Sequence, residues 1–207
     1  SEMCIRDSHK IPFPRGKTAF AGLSASDFSA DDLTHLEGQV LYLPDIDPSG
    51  DGKSRRTNND VTVKVVRNGS GGTLSPGTAV QYADGYYGTR VTTCGANIGN
   101  QCAGIVDDHV SGTVADNDLF YIVVNGPVKA NITTGATSHT GSNIVQGEAV
   151  WVADAAGTIE GVPHTGTDQN KPLSHIIGYS IDGTASGTAT STYVSAGKIN
   201  VYLTLGE

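Results

Sequence analysis

Apolar positions in this chain recur mostly with period two, in short runs, and rarely with the three-to-four spacing of a helix. Asp60-Val-Thr-Val-Lys-Val-Val-Arg67 alternates most clearly and predicts a strand. Ile144-Val-Gln-Gly-Glu-Ala-Val-Trp-Val-Ala153 predicts a turn ending at Gly147 and then a strand. Val150 and Val152 point one way along it, and Ala149, Trp151 and Ala153 the other. Earlier in the chain, Leu74-Ser-Pro-Gly-Thr-Ala-Val-Gln-Tyr-Ala83 repeats the pattern. Gly77 answers Gly147, Ala79-Val80 answers Ala149-Val150, and Tyr82 answers Val152. The sequel corresponds too: Ala103-Gly-Ile-Val-Asp107 matches Ile177-Gly-Tyr-Ser-Ile-Asp182, and the apolar run 119–124 matches 199–205. Each half is thus a glycine turn with a strand, a strand near a Gly and an Asp, and a closing apolar strand. The expected fold is mainly β, an antiparallel barrel or sandwich built from two similar halves.

The two halves are expected to share a core of Val63, Val65, Val80, Ile105, Ile122, Val124, Val150, Val152, Ile177, Val201 and Leu203. Residues 39–43 predict a further strand stopped by Pro44, and 89–94 another. Asn125-Gly-Pro127 predicts a turn into a strand over 128–132. Upstream, Ser29-Ala-Asp-Asp32 before Leu33-Thr-His-Leu36 predicts one short helix, with Ser29 as N-cap and Gly38 as its end. Residues 9–30 form an extended N-terminal arm: Pro12 and Pro14 disfavour helix and ladder alike, yet Ile11, Phe13, Phe20, Leu23 and Phe28 are apolar anchors. Such an arm lies either on a partner surface or on its own domain. Ser-Glu-Met-Cys-Ile-Arg-Asp-Ser at 1–8 resembles the read-through translation of a sequencing adapter and is expected to be non-native. The division is therefore an arm with its helix over 1–37 and a β domain over 38–207.

Composition sharpens this picture. Among 207 residues, 27 are Gly and only 16% are charged, as frequent turns between short strands require. A formal net charge of −8 argues against a nucleic-acid partner, because phosphate neutralisation needs clustered Lys and Arg. No run of 18 apolar residues is present, so no membrane-spanning helix is expected, and no segment has the apolar centre of a secretion signal.

Candidate chemistry is sparse. Asp45, Asp47, Ser49 and Asp51 alternate like calcium ligands, but Arg56 stands where the bidentate Glu of such a loop belongs, so a solvated loop is expected. Cys94 and Cys102 flank a turn-rich loop and form either a stapling disulfide or two free small core residues. In a strand, Asp107, Asp108 and His109 would face alternate sides and fail to converge. The other histidines are scattered, and no nucleophile elbow, phosphate loop or zinc-protease motif occurs. No catalytic set, cofactor or metal site is expected, and the chain reads as a non-enzyme. Tyr86, Tyr87 and Trp151 leave open a stacking platform for carbohydrate, although Trp151, in a strand beside alternating Val, reads first as core.

The order of elements has a resemblance. Val65-Val-Arg-Asn-Gly-Ser-Gly-Gly-Thr-Leu-Ser-Pro-Gly-Thr-Ala-Val80, Gly104-Ile-Val-Asp107, Ile122-Val-Val-Asn-Gly-Pro-Val128, Gly147-Glu-Ala-Val150, Ile177-Gly178 and Val201-Tyr-Leu203 resemble tailed-phage capsid decoration (cement) proteins. The resemblance covers roughly 60–205 and is one of glycines and apolar strands. It implies a small mainly-β virion protein on the capsid exterior, assembled in the host cytoplasm. Its implied partner is the phage major capsid protein, with a trimer as the favoured homo-oligomer, and it brings no catalytic residues. A carbohydrate- or receptor-binding β module is the alternative.

Overall fold

Most runs of alternating apolar residues are strands in the folded chain. The computed structural model describes residues 13, 15–18, 34–46, 55–95, 102–132, 144–153, 156–161, 176–182, 184–185, 188–189 and 197–205. The strands are β1 (Val40–Ile46), β2 (Arg55–Asn68), β3 (Ala79–Tyr82), β4 (Arg90–Thr93), β5 (Cys102–Val106), β6 (Leu119–Asn131), β7 (Ala149–Val152), β8 (Ile159–Gly161), β9 (Ile176–Ser180), β10 (Thr184–Ala185), β11 (Thr188–Ala189) and β12 (Lys198–Thr204). Ten form one sheet in the order β1-β2-β4-β3-β5-β6-β12-β9-β7-β8, and β10 and β11 form a separate hairpin. The sheet is mixed rather than wholly antiparallel, because β2 and β4 run parallel.

The sheet closes twice. β2 pairs with β6 as well as β4, so β2, β4, β3, β5 and β6 make a ring. In the second half, β6, β12, β9, β7 and β8 follow one another, and a parallel bridge between Ile132 and Ile159 returns β8 to the end of β6. The first ring closes in the corresponding way, through parallel pairing of Asn68 with Val91. Closure removes most of the unpaired edge that an open sheet would leave to solvent.

Register makes the two rings equivalent. Val80 sits opposite Thr93 on one side and Gly104 on the other, and Val150 sits opposite Gly161 and Gly178. The ladder shifts immediately after Val80 in β3 and after Val150 in β7. Ile105 faces Val123 as Tyr179 faces Tyr202. A Cβ on Gly104 would meet the Val123 carbonyl oxygen at 2.7 Å, and one on Gly178 would collide with the Tyr202 carbonyl oxygen. Glycine recurs there because the next strand's backbone occupies the side-chain space.

β6 belongs to both rings. Its residues 119–125 pair with β2, and 125–131 pair with β12. The change of partner falls at Gly126, whose φ is 102°, and a Cβ there would meet the Asp60 carbonyl oxygen at 3.1 Å. The turn expected from Asn125-Gly-Pro127 is therefore a bend inside one continuous strand of 13 residues. Gly and Pro punctuate this strand without ending it, since β12 supplies a ladder straight across the bend.

Two other expectations change. β1 runs through Pro44 to Ile46, because it is the outermost strand and needs ladder donors on one side only. The short helix is a 3-10 turn, Thr34–Leu36, ended by Gly38 at φ 85°, while Ser29 lies outside the described residues.

The core follows the rings. Val66, Val80, Val91, Ala103, Val106, Phe120, Ile122 and Val124 form one buried cluster to which every strand of the first ring contributes. The second cluster joins both halves, from Val63, Val65, Ile105 and Tyr121 through Val128, Ile132, Val150, Ile177, Val201 and Leu203. All eleven positions expected in the core are buried.

Candidate interaction surfaces

The N-terminal segment has a built seat on its own domain. Phe13 is buried, and its ring stacks on Tyr121 at 4.4 Å between centroids. The Tyr121 hydroxyl donates to the Phe13 carbonyl oxygen at 2.7 Å. Arg15 forms a two-pronged pair with Asp107, Nε to Oδ2 at 2.9 Å and Nη2 to Oδ1 at 3.0 Å, and its third donor reaches the Pro44 carbonyl. Gly16 fits because a Cβ would meet the His109 carbonyl oxygen at 2.6 Å. A planar fork matched to a carboxylate fixes direction as well as charge, so the segment is held in one register. Phe13 is thus an anchor on this chain's own domain. Ile11, Phe20, Leu23 and Phe28 lie outside the described residues.

A second buried ion pair ties the chain beyond the 3-10 turn to β2: Arg67 Nε donates to Glu37, and its Nη1 donates to the Asn117 carbonyl at 2.8 Å. Asn68, wholly buried beside it, donates to the carbonyls of Gly72, Val114 and Ala115. These groups order the loops at one end of the first ring. Burial raises the Asp118 carboxyl above the usual range there, against a hydrogen bond from Thr18 that lowers it.

The turn after β5 corrects one expectation. Asp107, Asp108 and His109 do converge, with ligand-type atoms all within 4.8 Å of one another, because the chain leaves the strand at Asp107 and curls. The Asp107 carboxylate, however, already holds the Arg15 guanidinium, a cation in the place a metal would need. Asp45 is likewise no solvated loop residue: strand alternation buries it, and it accepts the Thr57 hydroxyl at 2.7 Å. Asp47, Ser49 and Asp51 lie outside the described residues.

Cys94 and Cys102 are free thiols in contact across the end of β3. The hydrogen bond that the Cys94 thiol makes to Cys102, together with burial, pushes Cys94 far above the ordinary thiol range. A thiol so held is a poor nucleophile at neutral pH.

Exposed aromatic side chains gather at two places. In the first ring, Tyr87 is 88% exposed and leans on Tyr82 at 4.7 Å, the Lys64 ammonium donates to the Tyr82 hydroxyl at 3.0 Å, and Arg90 lies 4.4 Å over the Tyr86 ring. A depression of 460 Å³ adjoins them, lined by Gln81, Tyr82, Asp84 and Tyr87. Trp151 takes no part: it is buried in β7, and its indole N–H donates to Glu160 at 2.9 Å. The second place is the outer face of β9 and β12, where Tyr179 and Tyr202 stack at 5.2 Å. The sequence reading passed over this pair. For Tyr202 the signal was alternation, since it falls opposite to Val201 and Leu203; Tyr179 has the same parity as Ile177, and only the register shift between Val150 and Trp151 separates the two.

The sequence matches no protein-family model and no curated protein. A solved structure that partly overlaps this chain is that of the head fiber gp8.5 N base in bacteriophage phi29, 12% identical, covering 69% of this chain and 92% of that chain at a TM-score of 0.40. Overlap that loose carries no weight for function.

Proposed function

We propose that this chain is a structural virion protein that binds the outer surface of an assembled phage capsid and stabilises it by bridging major capsid protein subunits. One observation carries this reading. The glycines and apolar runs through which the sequence resembles phage decoration proteins are the same residues that build both rings: Gly77 and Gly147 at the turns, Gly104 and Gly178 under the neighbouring strand, Gly126 at the shared bend. The resemblance therefore lies in positions that determine the fold, while the exposed loops and tyrosines are left to meet a partner.

The work such a protein does is mass action. A molecule that binds only the assembled lattice stabilises it against opening, increasingly so as free protein exceeds its dissociation constant. Contacts with neighbouring subunits add multivalently, so each can be modest. No reaction is assigned to the protein, and a trimer is the favoured form on the capsid exterior.

The test is to strip the protein from purified particles and heat them with and without it added back. Heads should open at a higher temperature when it is present. Heads that open at the same temperature, or a protein that never binds them, would overturn the reading. The exposed Tyr86 and Tyr87, beside half-buried Tyr82, favour carbohydrate binding as the second reading. Retention of the protein by immobilised glycans, lost on Tyr87→Ala, would support that instead.

A further inference from the structure

The role proposed above makes no use of Cys94 and Cys102. Cys94 lies fully buried in the larger core cluster, and Cys102 packs against that cluster from its edge. Neither is oxidised, and a hydrogen bond joins the two thiols. They come from opposite flanks of β3. The Cys94 amide donates to the Ala79 carbonyl at 3.0 Å, while Cys102 is the register partner of Gln81. Cys102 also lines the 460 Å³ depression beside Tyr82 and Tyr87, where it is partly exposed.

Packing does not require sulfur at the exposed position. Register carries the Gln81–Cys102 pair into the second ring as Trp151–Ile176, so the equivalent place takes an ordinary apolar residue. Cys94, for its part, sits where the halves meet. Its carbonyl accepts from the Gly157 amide at 3.0 Å, and the Gly157 carbonyl accepts from the Ala79 amide at 2.9 Å. A covalent link between the thiols would tie the ends of β4 and β5 across β3, at the contact with the turn before β8.

We infer that Cys94 and Cys102 are a redox-responsive pair that closes to a disulfide on meeting a small-molecule disulfide such as oxidised glutathione. Cys102 is the point of entry, because the depression exposes it and the core covers Cys94. The Cys102 thiol gives its proton to solvent, and its sulfur attacks one sulfur of the small disulfide. That S–S bond breaks, one small thiol leaves with a proton from solvent, and a mixed disulfide remains on Cys102. The Cys94 sulfur, already in contact, then attacks the Cys102 sulfur and releases the second small thiol, which takes up the Cys94 proton. The protein loses two protons and two electrons, and the small disulfide gains them. While both thiols are free, Cys94 holds its proton too tightly to compete, which leaves the first attack to Cys102. A reducing compartment reverses both steps. On the capsid reading, departure from a reducing host cytoplasm supplies the change.

The test involves no capsid, so its result stands apart from that of the capsid reading. It uses the full chain with Cys4→Ser, which leaves only this pair of thiols. After the folded protein meets oxidised glutathione, peptide mass spectrometry should find a Cys94–Cys102 bond within one molecule and no lasting mixed disulfide. The closed form should melt about 5 °C above the reduced form, and dithiothreitol should reverse the shift. Cys94→Ala should trap glutathione on Cys102. Cys102→Ser should leave Cys94 reacting at least tenfold more slowly than Cys102 does in the parent, and it serves alone if Cys94→Ala fails to fold. A folded protein that keeps both thiols free, a closed form that melts no higher, or a Cys94 that reacts as fast as Cys102 would each overturn the inference.

Discussion

At the scale of single residues, the glycines divide by what lies beside them. Gly178 has no room for a methyl group, because the Tyr202 carbonyl occupies the place, whereas Gly147 has open space and only a φ of 80° that other residues resist. Gly178→Ala must move a strand, while Gly147→Ala strains one turn. The expected losses are roughly 2–3 kcal/mol for the first and about 1 kcal/mol for the second, read as shifts in urea midpoint at constant slope. Equal losses at the two sites would contradict the packing described for β9 and β12. From the sequence, both glycines read as turn or strand punctuation. The carbonyl that makes one of them obligatory comes from a distant part of the chain.

Among the elements, the N-terminal segment is the one whose attachment can be titrated. Burial, reinforced by the nearby Asp107 carboxylate, pushes the Tyr121 phenol up from 10.0 to about 12. The folded state thus keeps a proton that the unfolded chain gives up first. Its contribution to stability is complete below pH 10, falls as pH rises through 10 to 12, and is gone above that. Tyr121→Phe has no proton to lose and also lacks the hydrogen bond to the Phe13 carbonyl. It should be less stable than the parent at pH 8, with the gap closing between pH 10 and 12 in denaturant titrations. A gap independent of pH would mean that Tyr121 is not buried under Phe13. Pro12 and Pro14 announced an extended segment, and Phe13 announced an anchor. Where that anchor sits depended on Arg15 meeting Asp107, a pairing between residues far apart in sequence.

For the molecule as a whole, the shared strand is decisive. β6 closes the first ring with one half and opens the second with the other, and the larger core cluster draws on both halves. Neither ring can lose β6 without breaking the other, so the described body should unfold in one step. Calorimetric and van't Hoff enthalpies should agree, and Val150→Ala and Val80→Ala should each shift that single transition by about 1–3 kcal/mol. Two transitions, with Val150→Ala moving only one, would show that the rings are separate domains.

The sequence by itself determined the β class, the duplication and the membership of the core, because each rests on local period-two alternation and on glycines recurring in one order. It also offered Tyr86 and Tyr87 as aromatic residues of a stacking platform, and both are exposed. It could not decide what the glycine and proline at 126 and 127 do, since a bend and a turn look alike until β12 arrives to pair across them. It also pointed to a core place for Trp151, in a strand beside alternating Val, and its burial and its Glu160 partner bear that out. The convergence of Asp107, Asp108 and His109 and the continuation of β1 through Pro44 were both settled by tertiary structure. The physical reason is common to them: each depends on which distant backbone or side chain occupies the neighbouring space, and alternation along a strand says which way a residue points but not what it meets.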